Sequence, residues 1–139
     1  MDDLSRQHQT VFGDKKGNCF AACLACLLRL PVGDVPNFCG DNWEPNGEWF
    51  RECIRWLAPR GYTAICLKPE DWMNEHPGLT VIAGGPGPRG CDHCVLMRDG
   101  KLVHDPHPEG GGLMSVADVT LIVLLDGAVS VSGWEAKRP

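Results

Sequence analysis

The chain has 139 residues, 43% of them hydrophobic and 22% charged, a globular balance that excludes disordered and fibrous classes and supports one domain over 1–139. Thirteen Lys and Arg against eighteen Asp and Glu give a formal charge of −5, a sign that repels nucleic acid phosphates, so no nucleic acid partner is expected. The longest apolar run, Cys19 to Leu28, is far short of the roughly 20 residues a bilayer span needs, and Met1-Asp2-Asp3 has no secretion-signal character, so no membrane association and a cytoplasmic location are expected.

In chain order, the polar stretch to Gly17 reads as extended or looped. Cys19 to Leu30 is then apolar on every side until Pro31 stops it, which predicts a buried helix. Asp34 to Phe38 reads as its exit, and Asn42 to Gly47 as a loop capping a second helix. That helix is predicted over Glu48 to Leu57, where Trp49, Phe50, Cys53, Ile54 and Leu57 fall at helical spacing and Pro59 and Gly61 mark the end. Short strands follow at Tyr62–Leu67, Leu79–Ala83, His93–Met97, Leu102–His104 and Val119–Leu125, with a helical turn over Pro69–Glu75 and an Asp99-Gly100 hairpin turn. Gly84–Gly90 and Gly110–Gly112 read as surface loops, the second a candidate flap, and the tail from Ser130 to Pro139 as frayed. The fold class is α+β, a buried helix against an antiparallel sheet.

In a reducing compartment eight cysteines point to buried thiols, metal ligands or a nucleophile rather than a disulfide framework. Gly17-Asn18-Cys19 stands at the head of the apolar run, so Cys19 belongs in a first helical turn, where unpaired N–H groups and the helix dipole favour a thiolate. Taken alone, Cys19 also fits as the first small residue of a core helix, which is how Cys23 and Cys26 read. His93 opens a strand and is followed by His104-Asp105-Pro106-His107-Pro108, which supplies a base for a thiol and a carboxylate to fix its tautomer. Two hairpin registers are open. A three-residue loop, Arg98 to Gly100, sets His93 opposite Asp105, whereas a two-residue loop pairs Val95 with His104 and turns Asp105 to the other face.

Gln9, Gly17-Asn18-Cys19, His93 at a strand start and Asp105 after the next hairpin strand run in the order Gln, Cys, His, Asp. In this the chain resembles the papain-like cysteine peptidases. It looks more like the compact branch that includes the double-glycine leader peptidase domains of bacteriocin exporters, and like small bacterial and phage proteins sharing Gly-Asn-Cys-Phe and His-Asp-Pro-His-Pro segments. The resemblance covers residues 9 to 108. It implies a papain-like fold and acyl chemistry in which Cys19 attacks a carbonyl, His93 serves as acid and base, Asp105 orients His93, and Gln9 lines the oxyanion hole. A protein or peptide substrate and no cofactor are implied. Gln9 precedes Cys19 by ten residues, a longer interval than the family's, so the loop through Gly13, Asp14, Lys15 and Lys16 must bulge for Gln9 to reach the site. Phe20 stands where the leader peptidases carry glycine, a position beside the nucleophile from which it would alter or block the substrate cleft.

Three other readings are open. Cys23-x-x-Cys26 and Cys91-x-x-Cys94 form two C-x-x-C pairs that suggest structural zinc, although the first pair lies within a predicted helix. A thioredoxin-type redox site is a weaker reading still, since Cys19 and Cys23 have three residues between them and the Cys23/Cys26 pair is not at a helix start. A papain-like fold without catalysis would act as an inhibitor or adaptor. Trp43, Trp49, Trp56 and Trp72 fit either a peptide groove or the core.

Overall fold

A computed structural model describes residues 4–13, 16–41, 47–75 and 77–125. The expectations for 42–46, with Trp43, and for the tail from Ser130 lie outside these residues.

Helix α1 spans Cys19–Leu28 and buries Phe20 through Cys26, as its uniformly apolar sequence requires. It ends two residues sooner than expected. Leu30 precedes Pro31 and is disfavoured in the helical region, so Arg29 turns left-handed at φ 59° and the Leu30 N–H closes the helix on the Ala25 carbonyl at 3.0 Å. A 3-10 turn at Val32–Asp34 and the short helix α2, Phe38–Asp41, lead away from it. Helix α3, Glu48–Leu57, buries Cys53 and Leu57 and exposes the Glu48, Arg51, Glu52 and Arg55 face. A 3-10 turn at Ala58–Arg60 and Gly61, at φ 92°, then redirect the chain into the sheet.

Among the described residues the sheet has five antiparallel strands: β1 Tyr62–Leu67, β2 Thr80–Pro86, β3 Asp92–Arg98, β4 Lys101–His104 and β5 Asp118–Leu124, with helix α4, Pro69–Glu75, between β1 and β2. Their spatial order is β1-β5-β2-β3-β4, so the last strand lies between the first two. Strand alternation divides the apolar residues. Ala64, Ile82, Cys94, Leu96 and Ile122 face α1 and α3, while Val81, Met97, Val119 and Leu121 pack with Trp72 of α4 in a second cluster. Helix α1 lies on β3, and α3 on β1.

Strand β2 corrects the expected first glycine loop, because Gly84 and Gly85 are buried within the strand. A β-carbon on Gly85 would stand 2.1 Å from the Ser115 carbonyl oxygen, and one on Gly84 2.6 Å from Asp118 Oδ1. At Gly85 the obstacle is backbone, so glycine is needed there for close approach of the 115–118 segment, whereas at Gly84 it is the end of a side chain.

The β3–β4 hairpin follows neither expected register throughout. Asp99 and Gly100, at φ 53° and 77°, make the two-residue turn, pairing Arg98 with Lys101 and Met97 with Leu102. The next pair is Leu96 with His104, so Val103 is an extra residue, a β-bulge. The bulge shifts the register by one and brings Asp105 back to the face of His93.

Candidate active site

Asn18 is the N-cap of α1, but its side chain does not cap the helix. Its Oδ1 accepts from the backbone N–H groups of Thr10 and Val11, both at 2.9 Å, and its Nδ2 donates to Thr10 Oγ1 at 3.0 Å. The Asn18 and Gly17 N–H groups reach back to the carbonyls of Val11 and Gly13 at 3.1 and 3.0 Å. This clamp draws residues 10–13 against Gly17 and Asn18. It leaves Gln9, 6% exposed, lining a cavity of about 180 Å³ with Cys19 and His93. Gln9 Nε2 donates to the Val11 carbonyl at 3.0 Å, and its buried Oε1 has no partner among the described residues.

Cys19 is the first residue of α1, so its N–H has no acceptor within the helix. Its sulfur is half-buried between the start of α1 and the start of β3. The thiol is pulled down to about 5 by hydrogen bonding from the Cys94 thiol, against the burial that raises it, and by the hydrogen bond and charge of His93. Cys94 moves the opposite way, because the proton shared by the two sulfurs stays on it and it is buried. The thiols of Cys23, Cys26, Cys39, Cys53 and Cys66 are all pushed up, in each case chiefly by burial.

The bulged hairpin brings His93 and Asp105 together, with His93 Nε2 2.7 Å from Asp105 Oδ1. The other ring nitrogen, Nδ1, is thus the one left for Cys19. Burial alone would lower the His93 imidazole, but Asp105 and Cys19 together lift it to about 9. Burial raises Asp105 in turn, and this is outweighed by His93 and two backbone donors, His107 N–H to Oδ1 and Gly112 N–H to Oδ2, both at 2.8 Å. Gly110–Gly112 is therefore more than an outward loop, since its last residue is buried and tethers the carboxylate.

His104, the alternative partner, is elsewhere. Its Nε2 lies 2.6 Å from the Gln7 carbonyl and its ring against His8. Cys19 and His93 also line a larger cavity of about 320 Å³, with Phe20, Trp49, Asp118 and Thr120 among its walls. Phe20 is buried and packs edge-on against Trp49, centroids 5.0 Å apart, and both residues line this cleft. Trp72 is core on the opposite sheet face, and Trp56 packs on Phe38 under the Arg60 guanidinium. Of the four tryptophans weighed as groove residues, Trp49 is the one in the cleft among the described residues.

The two C-x-x-C pairs do not converge. Cys23 and Cys26 are wholly buried on α1, and among the described residues no group of three or more His, Cys, Asp or Glu is disposed to hold a metal ion. Sequence reasoning missed the Asn18 clamp, the Gly112 tether and the Cys94 contact, each of which depends on a partner distant in sequence. No family model, curated protein or solved structure matches the chain.

Proposed function

We propose that the protein is a cysteine-nucleophile acyl-processing enzyme with a papain-like core, a thiol peptidase in its simplest form, using Cys19, His93, Asp105 and Gln9. The reading rests on one observation above all: the drawn-down thiol of Cys19 shares its cavities with a histidine whose far nitrogen is held by a buried carboxylate. A thiolate beside an imidazolium is a ready nucleophile at neutral pH, and general acid–base help of this kind contributes about a hundredfold or more.

In this mechanism Cys19 sulfur bonds to the substrate acyl carbon, and the carbonyl π electrons move to oxygen. The oxyanion faces the free N–H of Cys19 at the helix start and the second Nε2 hydrogen of Gln9. Collapse breaks the C–N bond as the His93 imidazolium gives its Nδ1 proton to the leaving amine, leaving a thioester. Neutral His93 then takes a proton from water, whose oxygen displaces the Cys19 thiolate, and the imidazolium is restored. A glutamine side chain in place of the peptide bond gives deamidation by the same steps, and an amine in place of water gives acyl transfer.

The test is the pH dependence of iodoacetamide alkylation at every cysteine of the native chain, mapped by peptide mass spectrometry, for the parent and His93→Ala. Cys19 should reach half its maximal rate near pH 5 and outpace exposed Cys66 below neutrality. In His93→Ala its midpoint should move up toward the ordinary thiol value of 9.0. A Cys19 no faster than Cys66 below neutrality would sink the proposal.

A further inference from the structure

The smaller cavity holds a polar group that the chemistry above leaves unused. His107 follows Asp105 by two residues, and its backbone N–H is tied to that carboxylate at 2.8 Å. Its ring meets Phe12 edge-on with centroids 5.2 Å apart, and stands 6.1 Å from the ring of His93. Its Nδ1 accepts a hydrogen bond from the Glu109 N–H at 3.1 Å. A ring nitrogen that accepts carries no proton, so the neutral ring holds its hydrogen on Nε2. Nε2 has no hydrogen-bond partner among the described residues, although the ring lines the cavity together with Gln9, Cys19 and His93. His93 has no donor to offer there, since its nitrogens face Asp105 and Cys19.

We propose that His107 is a substrate-binding residue whose Nε2–H donates a hydrogen bond to an uncharged carbonyl oxygen of a peptide-like substrate lying in the cavity between Gln9 and His93. Its backbone contacts to Asp105 and Glu109 hold the ring before any ligand arrives, so the donor is preorganised. A neutral carbonyl is the acceptor that fits. The Asp92 carboxylate lines the same cavity and opposes an anion, and Arg89, also in its wall, has its guanidinium on the Gly110 carbonyl at 2.8 Å. This inference rests on Cys19 being the nucleophile.

The experiment compares two reagents at Cys19 in the full chain: an epoxysuccinyl diamide, whose epoxide is flanked by neutral carbonyls, and methyl methanethiosulfonate, which has none. His107→Phe keeps the ring against Phe12 and removes the donor. It should slow the epoxide about five- to tenfold, the worth of one hydrogen bond, and leave the thiosulfonate rate unchanged. His107→Gln, which restores an N–H donor, should recover most of the loss. Equal slowing with both reagents in both variants would make the ring a mere support of the Cys19–His93 pair and overturn the inference, as would an unchanged epoxide rate. A parent chain whose Cys19 resists the thiosulfonate overturns instead the acyl-processing reading itself.

Discussion

The Asp105 carboxylate accepts from one side-chain and two backbone donors, and each has a separate effect on His93. The backbone pair fixes where the carboxylate stands, while its charge holds the proton on the imidazole. Asp105→Asn keeps the shape and removes the charge, so the His93 titration midpoint should fall from about 9 toward the ordinary 6.5, followed by NMR of the ring protons. A midpoint that stays near 9 would show that Asp105 is not its charge partner. Asn18 plays a comparable part for Gln9. Three hydrogen bonds from one side chain hold the loop that carries Gln9 against the start of α1, and no property of residue 18 alone announces this.

At the scale of elements, β2 carries a sharp contrast between neighbouring glycines. A methyl at Gly85 collides with the Ser115 backbone, which cannot swing aside, whereas one at Gly84 meets the end of the Asp118 side chain, which can. Gly85→Ala should therefore cost about 2 kcal/mol or more in urea denaturation and Gly84→Ala less than about 1 kcal/mol, within the usual range for overpacking. Equal costs would mean that the 115–118 segment yields as a unit. The two glycines were unreadable as strand because their residue type signals a turn, and the reason they belong in a strand is a backbone that approaches from elsewhere in the chain. Helices α1 and α3 were legible because their evidence is local: an all-round apolar run closed by proline, and apolar residues at helical spacing. The hairpin was half legible. Asp99-Gly100 specifies its two-residue turn, but nothing in Leu102-Val103-His104 marks the bulge that decides which face Asp105 takes.

For the molecule as a whole, Cys19 and His93 make a pH signature in stability. His93 is raised from 6.5 to about 9, so its contribution is complete below pH 6.5 and lost as pH rises to 9. Cys19 is lowered from 9.0 to about 5, so its contribution is absent below pH 5 and complete only above 9. The two slopes cancel between pH 6.5 and 9, and Cys19 alone acts between 5 and 6.5. The stability difference between the parent and a Cys19→Ala/His93→Ala double variant should thus rise from pH 5 to 6.5 and then stay level to pH 9, measured by denaturant unfolding at each pH. A steady climb through neutrality would mean that His93 is not raised. The order β1-β5-β2-β3-β4 also has a consequence in time. As the chain leaves the ribosome, α1 and Cys19 emerge before the strands, but β1 and β2 have no shared neighbour until Asp118–Leu124 follows, and the carboxylate tether at Gly112 comes barely sooner. Pairings between residues so far apart in sequence close slowly, so folding of the sheet waits for nearly all of the described chain, and the Cys19 thiol is synthesised long before Asp105 and its tether are in place.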